Sequence, residues 1–207
     1  MPKTTFFNLS PDKRQRIMDA AIKEFSRAPI EHVNVSNIVR DSGISRGSFY
    51  QYFHDKDDLY THFFSTIGQV KMTYFGTLFD ARHDMPFIDR LYQMHLKGIA
   101  FRLDYPEFVP PSRMLLQSND PKTKAMIKDS TRQGIDLFEA MIRQDQVKGR
   151  ISSDVDSWVL AAITITFMNT FSMEDYLQDD LDPDTIKEKV KALIHIFKKG
   201  ITDHVHR

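Results

Sequence analysis

The sequence predicts an all-α protein of about nine helices. Three observations carry that reading. Apolar residues recur at helical spacing along almost the whole chain. Helix-start pairs, a hydroxyl or acidic residue followed by proline, stand at Ser10-Pro11, Asp120-Pro121 and Asp182-Pro183. No stretch alternates apolar and polar residues over six positions, and no Asn-Gly or Asp-Gly pair offers a hairpin turn.

The elements follow in order. Ser10-Pro11 opens a helix carrying Ile17, Ala20, Ala21, Ile22 and Phe25, which stops before Pro29. Asn34 caps a short helix with Val35, Ile38 and Val39, ending at Gly43. Ser45 caps another, through Phe49 to about Phe53. Asp55, with Asp57 and Asp58 behind it, opens a longer helix to about Phe79, its acids placed at the positive end of the helix dipole. Pro86 begins a helix with Ile88, Leu91, Tyr92, His95 and Ile99. Pro106, Pro110 and Pro111 keep the helix around Met114–Gln117 short. Asp120-Pro121 opens a long helix that ends at Gly149. Ser153 or Asp154 is expected to cap an apolar helix to about Leu177, and Asp182-Pro183 opens the last, through Ile186, Val190, Leu193, Ile194, Phe197 and Ile201.

Composition narrows the function. The 207 residues fit one large or two small domains, and 41% hydrophobic with 27% charged residues is ordinary for a globular chain. With no cysteine, disulfides, thiolate metal sites and cysteine nucleophiles are excluded. Net charge is zero, but residues 1–53 carry 8 Lys/Arg against 5 Asp/Glu, so +3, and residues 54–207 carry 20 against 23, so −3. A basic head on an acidic body hints at a polyanion partner for the head. The N-terminal stretch lacks the apolar core of a secretory signal. Trp158–Phe171, the most apolar stretch, is 14 residues with three threonines and an asparagine, too short to cross a membrane. The expected location is the cytoplasm, with no membrane partner.

The informative segment runs from Asn34 to Leu59. Two short helices meet at Asp41-Ser42-Gly43-Ile44, and a glycine in such a turn is what a helix-turn-helix needs, because the chain must reverse through a positive φ. Val35, Ile38, Val39, Ile44, Phe49 and Phe53 form the expected hidden face; Arg40, Arg46, Ser48, Tyr50, Gln51 and His54 face outward. That outward set suits DNA. Arg46 and Gln51 can read base edges, Ser48 can bond base or phosphate, and Tyr50 offers a phenol and an apolar ring. Gly47, early in the second helix, costs up to ~1 kcal/mol in helix stability. It makes sense if the backbone approaches a phosphate there.

Gly43-Ile44-Ser45-Arg46-Gly47-Ser48-Phe49-Tyr50-Gln51-Tyr52-Phe53, followed by Lys56-Asp57-Asp58-Leu59, resembles the DNA-binding domain of the TetR family of one-component transcriptional regulators. The resemblance covers residues 10–60 in motif and the rest in length and helical pattern. It implies residues 1–53 as a helix-turn-helix DNA-binding domain and 54–207 as a helical effector-binding and dimerisation domain. It maps DNA contacts to Ser36, to Arg46 through Tyr50, among them Gly47 and Ser48, and to Lys56; Asn34, Ser45, Gln51 and His54, on the same outward face, complete the expected set. Where the family usually has threonines before the first short helix, this chain has Val33-Asn34, and its recognition helix has no lysine. The implied partners are a palindromic operator in double-stranded DNA, a small apolar or amphipathic effector, and a second copy joined through the last two long helices. Trp158–Phe171 agrees, since a helix apolar nearly all round must bury two sides. The expected effector-contacting residues are Phe101, Tyr105, Phe108, Met114, Gln117, Phe138, Met141, Trp158 and Phe167, with Arg113 and Asn169 as further polar candidates. Repression relieved by ligand is the implied logic.

Competing motifs are weaker. Gly43–Gly47 fits G-x-S-x-G, but a helix rather than a strand precedes it, so it is no nucleophile elbow. His204-Val205-His206 is a weak chelate, and no Glu-x-x-His or His-Glu-x-x-His occurs. His95 and His195 read as core or interface residues. No cofactor, metal or catalytic set is expected. The rival reading is a helical small-molecule-binding or scaffolding protein without specific DNA binding, favoured by the neutral net charge.

Overall fold

The structure is a computed structural model that describes residues 1–169, 180 and 182–199. The described residues hold ten α-helices, three short 3-10 turns and no strand. The helices are α1 (Thr4–Phe7), α2 (Pro11–Phe25), α3 (Val35–Ser42), α4 (Arg46–Tyr52), α5 (Lys56–Phe75), α6 (Phe87–Asp104), α7 (Val109–Gln117), α8 (Pro121–Val147), α9 (Ser157–Phe167) and α10 (Pro183–Lys199). None is long and apolar enough to cross a membrane. The chain forms two compact units: Met1–Thr73 with Tyr105–Lys128, and Tyr74–Asp104 with Asp129–Arg207.

Starts and stops follow local chemistry. Pro11 opens α2 as expected, although the Ser10 hydroxyl makes no capping bond. Asp120 caps α8 through the Thr123 amide at 2.8 Å, and Asp55 accepts from the Asp58 amide at 2.8 Å at the start of α5. The helix from Asp55 ends at Phe75 rather than Phe79, because Gly76 takes φ +56° and the chain tightens into a 3-10 turn over Gly76–Phe79. The cap of α9 is Asp156, not Ser153 or Asp154: its carboxylate accepts from the Val159 amide at 2.9 Å. Ser152–Val155 is held instead as a turn, with the Gln146 amide donating to the Ser152 and Val155 carbonyls at 3.0 and 2.7 Å. The expected end of that helix near Leu177, and the chelate pair at His204 and His206, lie outside the described residues. Helix α1 was not expected; four residues carry no periodicity.

The first unit is built on an aromatic core. Ile17, Phe25, Ile38, Phe49, Phe53, Leu59 and Phe63 are fully or almost fully buried, and each such side chain stabilises by about 1.5–3 kcal/mol. Phe25 meets Tyr60 and Phe63 at centroid distances of 5.0 and 5.3 Å. Phe108 from the 3-10 turn before α7, Leu115 from α7 and Met126 from α8 cover the same core. A polar tie joins these parts. Glu31 accepts from the Ser118 hydroxyl at 2.9 Å and from the Asn119 amide, and Lys122 pairs with Asp57 at 2.6 Å.

In the second unit Phe87, Leu91, Met94, Phe138, Met141, Ile142 and Ala161 form the core. Helix α9 passes so close to α8 that a Cβ on Gly134 would stand 3.1 Å from Ile165 Cδ1. Arg90, 2% exposed, staples the turn before α6: its guanidinium donates to the carbonyls of Thr77 at 2.9 Å, Leu78 at 3.0 Å, Asp80 at 3.1 Å, and His83. Burial pushes its pKa below the usual arginine value. Asp145, also buried, accepts from the Phe87 amide at 2.6 Å and from Arg150 at 3.2 Å. His95 is buried against the Leu91 carbonyl at 2.8 Å, and desolvation lowers its pKa, as befits a neutral core histidine; His195 is exposed.

Arg90→Met should lower stability by about 3 kcal/mol, because several carbonyls lose their donor together. Urea unfolding followed by the fluorescence of Trp158, the single tryptophan and a residue of the same unit, checks this.

Candidate nucleic-acid interface

The helix-turn-helix is assembled from inside out. Along α2 the stripe Ile17, Ala20, Ala21, Phe25 is buried, and Glu24 shares it at 4% exposure. Its two carboxylate oxygens are both used on α3: Oε1 accepts from the Asn34 amide at 2.8 Å and Oε2 from the Asn37 side chain at 3.0 Å. Beside it, Lys23 and Arg40 hold Asp41 at 2.7 and 2.8 Å. Those hydrogen bonds, from Lys23 first and then Arg40, depress the Asp41 pKa to about 2.

Asn34 caps α3 through the Ser36 amide at 2.9 Å. At the other end Gly43 sits at φ +67°, where its amide bonds Arg40 O and the Ile44 amide bonds Val39 O, both at 3.2 Å. Only glycine adopts that left-handed position freely, so it closes α3 and reverses the chain. Ser45 then caps α4, accepting from the Ser48 amide at 3.0 Å.

What α4 presents follows from this frame. Ile38, Phe49 and Phe53 are buried, with Val35, Val39 and Ile44 packed against them. Ser36, Ser45, Arg46, Gly47, Tyr50, Gln51 and His54 are exposed on the outside. Arg46 donates to Ser36 Oγ at 3.3 Å, which links the two helices across the exposed face. Tyr50 is 42% exposed, its ring edge-on to Phe49. Ser48 is half-buried with its hydroxyl 2.9 Å from that of Ser45. A Cβ on Gly47 would meet only Ser45 Oγ, at 3.8 Å, so nothing within the chain demands glycine there. Lys56 is half-buried, its ammonium donating to the Ile30 and Glu31 carbonyls at 2.6 and 3.2 Å. Asn34, Ser45 and Lys56 thus each carry an internal bond alongside any contact outward.

Two contributors lie outside the predicted set. Glu24 is legible in principle, as a carboxylate on an apolar stripe seven residues after Ile17. The other is α1, which touches the back of α4 through Lys3 and Thr5.

The residues expected to contact an effector are divided. In the first unit Tyr105 and Phe108 stack at 5.5 Å, Met114 is half-buried and Gln117 exposed. In the second, Phe101, Phe138 and Met141 are buried, Phe138 meeting Phe87 at 5.5 Å. Phe167 is half-buried 6.3 Å from His95, and Trp158 is 53% exposed. A shallow groove of about 310 Å³ between α6 and α10, lined by Tyr92, Ile194 and His195 among others, contains none of them. No cluster of three potential metal ligands occurs among the described residues.

Residues 17–63 match the sequence profile of bacterial regulatory proteins of the tetR family. The chain is 31% identical over 67 residues to the HTH-type transcriptional regulator AcrR of Shigella flexneri, a match covering 30% of this chain and 31% of that protein. It spans about a third of the length of the curated relatives it matches. Solved structures share its fold over nearly the whole chain. A TetR family transcriptional regulator from Chloroflexus aurantiacus superposes with a TM-score of 0.69 at 23% identity, covering 97% of this chain and 98% of that one. The regulator FadR from Bacillus subtilis, in complex with stearoyl-CoA, gives 0.68 at 16% identity over 91% and 99%. The TetR family regulator CifR, a cysteine mutant complexed with 26-bp operator DNA, gives 0.69 at 16% over 89% and 96%.

Two substitutions test the frame. Gly43→Ala should cost about 1 kcal/mol in urea unfolding, through backbone strain alone. For Asp41 the folded pKa lies below the unfolded one, so its stabilisation is present above pH 3.8 and lost as pH falls toward 2. The stability difference between the native chain and Asp41→Asn should therefore shrink across that window.

Proposed function

We propose, from a chain whose residues 17–63 match the profile of bacterial regulatory proteins of the tetR family and whose fold is shared with solved regulators of that family, that it is a ligand-responsive transcriptional regulator of the cytoplasm. The observation that carries this is the exposed face of α3 and α4. Arg46, Tyr50, Gln51 and Ser36 stand outward on a rigid, capped frame, and Gly47 leaves the N-terminus of α4 open to a phosphate. CifR bound to operator DNA supports the same use of the head here. Arg46 and Gln51 read base edges, Tyr50 and Ser36 set register on the backbone, and Ser45, Ser48, Asn34, His54 and Lys56 frame the contact.

The operator is a palindrome and the regulator a homodimer. Support comes from apolar side chains left exposed on the last two long helices: Trp158, Val159 and Ile163 on α9 are 53%, 44% and 51% exposed, and Ile196 on α10 is 46% exposed. Covering them with a second copy places two recognition helices about one DNA turn apart, roughly 34 Å. The effector is a small apolar or amphipathic molecule taken by residues 54–207, a reading supported by the stearoyl-CoA bound to FadR. Its binding favours a dimer geometry whose heads no longer match the operator, with coupling of ~1–3 kcal/mol. Transcription is repressed until then.

The test is selection of DNA fragments by the purified protein at about 0.15 M salt. Enrichment of one palindromic site supports the reading; no enrichment from effector-free protein overturns it. Arg46→Ala and Tyr50→Ala should each abolish binding to that site while leaving the circular dichroism spectrum and melting temperature unchanged. Gly47→Ala should melt slightly higher, by less than about 1 kcal/mol, yet bind the site more weakly.

A further inference from the structure

A seven-residue helix has few bonds of its own, and its last four carbonyls have no partner within it. In α4 these are the carbonyls of Phe49, Tyr50, Gln51 and Tyr52. Phe49 O accepts from the Phe53 amide at 2.9 Å. The other three are all taken by the segment that precedes α2. Tyr50 O accepts from the Lys3 ammonium at 2.8 Å, Gln51 O from the Thr5 hydroxyl, and Tyr52 O from the Lys3 backbone amide at 2.8 Å. The donors are held in place in turn. Phe6, 2% exposed, is wedged between Phe53 at 4.9 Å and His62 at 5.4 Å, and Arg14 donates to Phe7 O at 3.1 Å. The Lys3 charge also lies at the negative end of the α4 dipole.

We propose that Lys3 and Thr5 are positioning residues for the recognition helix, fixing the turn that carries Tyr50 and Gln51 without themselves contacting DNA. The inference rests on the DNA-binding reading of α4 for its consequence, but the mechanical part stands alone. Local opening of α4 would release its last turn first, and the arm closes that route. A recognition helix ordered before it meets DNA loses less entropy on binding.

The experiment uses the full chain with Lys3→Met and Thr5→Val combined, beside Thr5→Ser, which keeps the hydroxyl. Hydrogen exchange at the Gln51, Tyr52 and Phe53 amides reads the positioning without DNA. The double variant should exchange there at least tenfold faster with an unchanged melting temperature, and Thr5→Ser should behave as the native chain. Affinity for the palindrome selected by the native protein should fall about tenfold, with the same dependence on salt. Unchanged exchange overturns the positioning role. A loss of affinity accompanied by a shallower salt slope, about one unit per head, also overturns it, because it would make Lys3 a phosphate contact. Should the native protein select no site, the DNA reading fails while the exchange data still decide the role of the arm.

Discussion

The exposed face of α3 and α4 depends on one buried carboxylate. Glu24 sits among apolar side chains on α2 and spends both oxygens on α3, one on the first amide donor before the helix and one on the Asn37 side chain. A carboxylate removed from water is tolerated only when its acceptors are filled, so the pairing is close to all-or-none. It fixes where α3 begins; α3 fixes Gly43; Gly43 fixes the direction in which α4 leaves. The Lys23–Asp41–Arg40 cluster repeats the constraint nearer solvent, where it is weaker and responds to pH.

The two units use the same device at different places: an ionic side chain, buried in the second unit and exposed in the first, satisfies main-chain groups that no helix can. In the second unit Arg90 gathers the carbonyls of the turn before α6, and Asp145 holds the first amide of that helix. In the first, Glu31 holds the junction of α7 and α8 through Ser118 and Asn119. Burial alone would raise the Glu31 carboxyl; the amide and hydroxyl donors around it outweigh that and hold it below its usual range. Irregular segments are thereby kept ordered by side chains far away in sequence.

That distance explains what could be read from the sequence. Helix boundaries set by neighbours within four residues, as at Asn34, Gly43, Ser45 and Asp120, were legible because the cap and its partner lie in the same short window. So was the split between Phe49 and Tyr50, since helical period alone sorts them. The α9 cap was not, because Gln146, from the helix before, claims the turn at Ser152–Val155. Helix α1 was not, because its stability comes from bonds to α4 some 46 residues on. Of the residues expected to contact DNA, type and exposure were predictable, while the internal bonds of Asn34, Ser45 and Lys56 were not. Phe and Met residues expected near an effector carry no signal separating a lining side chain from a packed one, and Phe138 and Met141 are buried in the second unit.

Helix α4, RGSFYQY, holds a single cation. On the DNA-binding reading, a helix with so few charges would itself gain little from arbitrary stretches of DNA, whose attraction for proteins is mostly phosphate neutralisation. Fewer copies would then be parked on the millions of competing sites a genome offers, and sliding along the duplex would be brief. Such a regulator would search chiefly through solution and dwell only where base edges fit. A small number of molecules per cell could then keep one operator occupied.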